Sequence, residues 1–442
     1  MKLQIIQTVK DTAARLSSGP VQLFEEDKTG YEGPQIVLFP ELSFQTIEGF
    51  GGAFTEAAST TLDQLDADKR QEILRDYFDP VDGIGYSLCR THIQSCDFSL
   101  SNYSYIEEGD ESLSTFSLER DQKSLLPMIQ EAQRIGSFRL LASPWSPPAF
   151  MKDNGERNHG GKLLPQYYAL WASLIERYIE AYRALDVPIW AITVQNEPKA
   201  VQTWDSCIFT AEEERDFVKH YLGEKMQRQG VGIFVWDHNK ERLFERADTI
   251  LRDKEAAAYV AGAAFHWYSG DHFEQLDLLQ HQYPDKKLLF SEGCYEYSLG
   301  KGPTWEIGER YGHDIIGDIN HGCCAFIDWN LLLNQDGGPN HVGNFCDAPI
   351  MANTQTGEIT RHNSYYYIGH FSKFVRPGAQ RIGMSRWSDC VDASALRNPD
   401  GTIVLVVLNR SEQSYDFSIR IGHQICKTVS QPRSMATYLI NN

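Results

Sequence analysis

From about residue 46 the chain alternates short apolar, β-branched runs with longer amphipathic stretches, a rhythm that predicts βα units around a parallel sheet. Eight short runs stand out, over residues 49–53, 84–93, 138–142, 189–194, 232–236, 261–266, 287–290 and 323–327. Eight is the number that closes a (β/α)8 TIM barrel, so the expected fold class is α/β. Helical periods lie between the runs, over 65–78, 118–135, 167–185, 211–229 and 240–257, with Pro127 expected to kink the second. The ends read differently. Residues 20–45 and 379–442 carry alternating strand-like runs such as QIVLF, GTIVLVVLN and YDFSIRI, separated by turn residues. The expected organisation is a barrel over 46–378 and one antiparallel β-sandwich built from 1–45 and 379–442.

The length of 442 residues suits a barrel with a small companion. A net charge of −19 argues against a nucleic-acid partner, which would require a basic stripe to displace counterions. No run of 18 apolar residues is present, so no membrane insertion is expected. The first twenty residues break their apolar run with Gln4, Gln7, Lys10 and Asp11, unlike a signal peptide. Nine cysteines without C-x-x-C spacing fit a reduced compartment, so a cytoplasmic location is expected.

Barrel enzymes carry their chemistry at the C-terminal ends of the strands, so the residues just beyond each run are informative. The clusters there are Phe54 to Glu56, Arg90 to Asp97, Ser143 to Pro148, Gln195 to Pro198, Asp237 to Asn239, His266 to Tyr268, Ser291 to Gly293 and Asp328 to Asn330. Eight clusters in register, rich in carboxylates, amides and Trp, point to a polyhydroxylated substrate. Glu197 and Glu292 come three and two positions after the last apolar residue of their runs, at the ends of the fourth and seventh strands, which face each other across a closed barrel. Glycosidic hydrolysis needs such a pair, one carboxyl to protonate the leaving oxygen and one to attack the anomeric carbon. Asn196 is placed to donate to a sugar 2-hydroxyl, and Tyr268 and Arg90 to hold Glu292 ionised. Trp145 and Trp329 are candidate walls for a sugar ring. Asp97, after the second strand, is a candidate acceptor for the hydroxyls at the far end of one terminal glucosyl unit, which implies an exo-acting pocket.

The segments IEGFGGAF, RTHIQSCDFS, LLASPWSPPAFMK, ITVQNEP, AFHWY, LLFSEGC and IDWNLLLNQDGGPNHVGNF resemble glycoside hydrolase family 30, in its glucosylceramidase-like branch. The resemblance spans almost the whole barrel and reaches IGHFSKFVRPGAQR and PDGTIVLVVLNRS in the tail. It implies a retaining mechanism with Glu197 as acid/base and Glu292 as nucleophile. By the same matching Asp97, Trp145, Asn196, Trp329, Tyr268, Arg90, His266 and Asn344 belong to the substrate site. The implied partner is a carbohydrate or glycolipid β-glucoside; β-1,6-glucan, β-xyloside and β-fucoside are alternatives within the family. The segments KAVQTWDSCIF and YEYSLGKGPTW depart from the animal pattern where an aglycone would sit, so the aglycone is not implied.

Rival chemistries find less support. Lys286 and Lys287 begin their strand instead of ending it, which disfavours a Schiff-base enzyme. The thirteen His lack H-x-H or H-E-x-x-H spacing, and neither a phosphate loop nor a dinucleotide fingerprint is complete. No metal or organic cofactor is therefore expected. A non-catalytic carbohydrate-binding barrel would be expected to lose one of the two carboxylates, and both are present.

Overall fold

The computed structural model describes residues 1–300 and 304–441. The eight runs form strands Gly49–Phe54, Leu88–Ile93, Arg139–Pro144, Ala191–Thr193, Gly232–Asn239, Val260–His266, Lys287–Glu292 and Cys323–Asp328. They pair in parallel in chain order, and the eighth closes on the first. Alternation along the strands turns Leu88, Leu141, Phe234, Ala264, Leu289 and Ile327 into the lumen, where they fill the lower barrel. The upper lumen is left to polar side chains.

Two departures from strict alternation shape that polar end. Between the fifth and sixth strands Trp236 pairs with Ala264 and His238 with Phe265, so Asp237 is an extra residue in its strand. Between the sixth and seventh, Phe265 pairs with Phe290 and His266 with Glu292, which makes Ser291 extra. A bulge lets two consecutive residues face the same side. Ser291 and Glu292 both turn inward for this reason, and both find polar partners in the lumen.

The helical periods differ from the sequence reading at one informative place. Residues 118–135 form two helices, Glu119–Lys123 and Leu125–Ile135, broken at Ser124 instead of kinked at Pro127. In one continuous helix the Pro127 ring would meet the carbonyl of Lys123; in the first turn of a new helix its missing N–H costs nothing. The second barrel strand likewise begins at Leu88 and not at residue 84, because Gly85 adopts φ +63, which ends extended backbone.

The chain ends form a ten-stranded sheet folded over its own core of Ile5, Leu38, Leu405, Phe417 and Tyr438. Its N-terminal strand, Lys2–Val9, lies outside the strand-like runs of the sequence reading and pairs along its whole length with Ser434–Asn441. One pairing corrects the antiparallel expectation: Gln35–Thr46 runs parallel to Tyr415–Ile421. These strands come from opposite ends of the chain, so no tight turn forces them antiparallel. The last barrel-side helix, Asn363–Ser372, docks on the sheet through His370, whose ring nitrogens meet the Thr437 and Thr8 hydroxyls at 2.8 and 2.9 Å. Among the described residues no helix is long and apolar enough to cross a membrane.

Candidate active site

The strand ends surround a cavity of about 290 Å³, lined among others by Asp97, Trp145, Asn196, Glu197, Tyr268 and Glu292. Its volume lies at the lower end of the range for small-ligand sites. Trp145 and Trp329 stack with ring centroids 5.3 Å apart and form an apolar wall.

Beneath the floor, Arg90 is wholly buried and spends its guanidinium on five hydrogen bonds. Nη1 donates to Glu292 Oε2 at 2.7 Å and to the Ser291 carbonyl, Nη2 to Asp237 Oδ2 at 2.7 Å and Asn196 Oδ1 at 2.8 Å, and Nε to Ser143 Oγ. Because Arg90 takes the Asn196 oxygen, the amide NH2 is left to face the cavity. Tyr268 donates its hydroxyl to the other oxygen of Glu292 at 3.0 Å. Glu292 therefore has a charge-assisted or neutral donor on each oxygen.

Glu197 sits just beyond the fourth strand in the left-handed region, at φ +47. Such a conformation is strained for a residue with a Cβ and is held by its surroundings. Here its N–H donates to the Asp237 carbonyl at 2.9 Å, while the Asn196 N–H donates to the Pro144 carbonyl. His266 Nδ1 lies 3.3 Å from Glu197 Oε1 and 3.9 Å from Glu292 Oε1, so one ring spans the two carboxylates. The opposite nitrogen, Nε2, meets Asp237 at 3.0 Å.

Charges in this cluster control one another. Burial opposes a charged His266, but the carboxylates of Glu292, Asp237 and Glu197 outweigh it and raise its pKa to about 9. Burial likewise opposes ionisation of Glu197, yet His238 and His266 bring its pKa below the usual carboxylate range. Glu292 is pushed up by burial and by the charges of Glu197 and Asp237, against the pull of His266 and Arg90. Asp237 is held low by Arg90 and by its hydrogen bonds despite its burial. Asp97, across the cavity, is lifted well above the carboxylate range by burial and by the Glu292 charge; Asn344 Nδ2 donates to it at 3.0 Å.

The sequence-derived residues thus fall into two groups. Glu197, Glu292, Asp97, Trp145, Asn196, Trp329, Tyr268 and Asn344 line the cavity. Arg90 and His266, grouped with the substrate site, lie fully buried beneath it; Arg90 meets Glu292, the carboxylate the sequence reading gives it to support, and His266 lies against both Glu197 and Glu292. They are drawn inward because these two cations offset the buried carboxylates that converge there. Glu56, from the first strand-end cluster, turns away to pair with Arg120. Asp328 turns to the Tyr311 hydroxyl at 2.6 Å. The cavity also gains Gln202, Trp204, Cys294, Glu296 and Cys346, which the sequence did not single out, and His238 and Asn239, which it marked only within the strand-end cluster Asp237 to Asn239. Part of the loop after Glu292, at 301–303, lies outside the described residues.

A closed barrel with two facing carboxylates over an aromatic-walled polar cavity is the architecture of a glycoside hydrolase, and comparison with known proteins agrees. The glycosyl hydrolase family 30 TIM-barrel model matches residues 47–375, and that family's beta sandwich model matches 378–438. Lysosomal acid glucosylceramidase of Mus musculus is 36% identical over 450 residues, covering 96% of this chain and 86% of that protein. The crystal structure of SrfJ from Salmonella typhimurium is 40% identical, with a TM-score of 0.96 and full coverage of both chains. An endo-beta1,6-glucanase structure is 30% identical, with a TM-score of 0.89 over 99% of each chain. The chain belongs to glycosyl hydrolase family 30 and is a glycoside hydrolase acting on a carbohydrate substrate.

Proposed function

We propose that the chain is a retaining, exo-acting β-glucosidase for a glucosylceramide-like glycolipid. Glu292 attacks the anomeric carbon and Glu197 transfers the proton. The observation that carries the roles is the asymmetry of support. Glu292 is gripped by Arg90 and Tyr268 and has no freedom to accompany a proton, whereas Glu197 faces the proton-bearing His266 at 3.3 Å.

Before substrate binds, the Glu197–His266 pair shares one proton, which rests on the imidazole. In the first step the His266 Nδ1 proton passes to Glu197 across 3.3 Å, and Glu197 delivers it to the leaving oxygen as Glu292 displaces that oxygen and forms the glycosyl ester, which leaves His266 neutral and Glu197 ionised. Esterification removes the Glu292 charge, the largest attraction holding a proton on His266. Glu197, now ionised, accepts a proton from the water that cleaves the ester, with a second inversion at the anomeric carbon. The Asn196 NH2, oriented by Arg90, is positioned for the sugar 2-hydroxyl.

Two features favour a terminal sugar on a lipid. Asp97 and Asn344 close one side of a small cavity, suited to the outer hydroxyls of one ring. The loops that supply lining residues also expose Leu100, Val201 and Phe345, at 45%, 61% and 40%, each within three sequence positions of a lining residue. A polar pocket whose lining loops also carry exposed apolar side chains suits a sugar carried on hydrocarbon.

The test is initial rates on aryl β-glycosides and on glucosylceramide, with Glu292→Gln and Glu197→Ala beside the parent. Glu292→Gln should lose turnover on every substrate. Glu197→Ala should retain aryl glycosides with good leaving groups and recover with azide. Equal responses to leaving-group pKa would overturn the roles, and activity confined to internal bonds of a glucan would overturn the exo reading.

A further inference from the structure

We propose that Glu197, His238 and His266 form a binding site for one divalent transition-metal ion of the zinc class. They stand at the ends of three adjacent strands, the fourth, fifth and sixth. One donor atom from each lies within 4.8 Å of the others. The spacing of the sequence could not show this, since the ligands come from three separate βα units.

Two of the three donor–donor edges, both to Glu197, match a tetrahedral ion, while the two histidine donors lie within 4.8 Å of each other and must draw closer to share it. Two donors each about 2.0–2.1 Å from zinc are about 3.3 Å apart along a tetrahedral edge. His266 Nδ1 and His238 Nδ1 lie 3.3 and 3.4 Å from Glu197 Oε1. A second observation points to a ligand. His238 Nδ1 is buried and has no hydrogen-bond partner among the described residues, although it lies that close to the carboxylate oxygen. An ion between the two would satisfy both, which a misaligned direct bond does not.

The surroundings suit the ion as well. Asp237 meets His266 Nε2 at 3.0 Å, so a neutral His266 keeps that N–H on the carboxylate and directs its Nδ1 lone pair at the ion. With His266 neutral, Glu197, Glu292 and Asp237 face the single charge of the Arg90 guanidinium, a net negative site. Imidazole and carboxylate donors select zinc or copper over calcium or magnesium. The fourth position opens on the cavity, which Glu197 and His238 line and through which an ion enters. Binding displaces the proton from the His266–Glu197 pair. The metal site itself stands independently of the reaction proposed above; inhibition by the ion rests on that reading of Glu197.

The test is calorimetric titration of the metal-free full chain with Zn²⁺, with the absorption spectrum of the Co²⁺ form, for the parent, His238→Phe and Cys294→Ser. The expected result is one saturable site, intense d–d bands of a four-coordinate ion without sulfur charge transfer, and affinity lowered at least tenfold by His238→Phe. Cys294→Ser should bind as the parent does; it controls for the neighbouring Cys294 and Cys346 thiols, whose sulfurs are 3.4 Å apart. Absence of saturable binding would overturn the site. So would sulfur charge transfer, or loss of binding in Cys294→Ser with none in His238→Phe. If His238→Phe fails to fold, the parent Co²⁺ spectrum decides between nitrogen and sulfur ligands. Binding without loss of turnover would keep the metal site and remove Glu197 from proton transfer.

Discussion

Arg90 Nη1 and Glu292 Oε2 stand 2.7 Å apart in a pocket where the guanidinium has no solvent exposure. The same guanidinium holds Asp237 at 2.7 Å, so one cation serves two buried carboxylates. Removing one partner of a buried pair leaves a charge with neither water nor counter-ion. Arg90→Met should lower folding stability by about 3–5 kcal/mol and abolish turnover. Denaturant unfolding measures the first. A variant as stable as the parent would show that Asp237 and Glu292 are not both ionised in the fold.

Two histidines should shape the pH dependence of stability in opposite directions. His266, raised to about 9, contributes stability that is complete below its unfolded value near 6.5 and is lost as pH rises through 9. His370 is lowered to about 3 by burial, so its contribution is complete above 6.5 and is lost as pH falls toward 3. Lys152, buried and lowered to about 8, adds stability as pH rises from 8 toward 10.5 and partly masks the His266 loss. The comparison that isolates His266 is therefore the parent against His266→Gln at pH 6.5 and 9.5. The stability difference between the two proteins should shrink by on the order of 3 kcal/mol at the higher pH. A constant difference would contradict a protonated His266.

Asp97 should set recognition of the sugar's outer edge. Asp97→Asn keeps the shape and should cost about 1.5–3 kcal/mol of transition-state binding, roughly ten- to hundred-fold in kcat/KM on a β-glucoside. The penalty should be smaller on a β-xyloside, which lacks the 6-hydroxyl. Equal losses on both substrates would remove that hydroxyl from the account.

The exposed apolar side chains of the lining loops should matter only for a lipid aglycone. Phe345→Ser and Val201→Ser should raise KM for glucosylceramide in mixed micelles and leave an aryl β-glucoside within about twofold, since each buries on the order of 1–2 kcal/mol of apolar surface only when hydrocarbon is present. Parallel changes on both substrates would place these side chains in support of the pocket instead.

Local pattern makes part of this molecule legible in the sequence, and the rest depends on register. Glu197 and Glu292 are legible because each stands in the short polar cluster just past an apolar run that the barrel must bury. Asp237 reads only as part of a strand-end cluster. Its place at the centre of the charge network comes from a bulge that adds one residue to a strand, and periodicity does not record that. Ser291 reaches the lumen for the same reason. Arg90 and His266 are legible as site residues but not as buried ones, since depth beneath the floor depends on which carboxylates converge there. Gln202, Trp204, Glu296 and Cys346 come from irregular loops, whose folding onto the cavity has no period to read. The strand Lys2–Val9 has the alternation of an ordinary strand, yet only its pairing with Ser434–Asn441 shows where it lies.

The anomeric configuration of the first product tests the central claim most directly. Two displacements, at Glu292 and then by water activated at Glu197, preserve the configuration, so early proton NMR spectra of β-glucoside hydrolysis should show β-glucose before mutarotation. α-Glucose as the first product would mean a single displacement by water and would contradict the assignment of Glu292 as nucleophile.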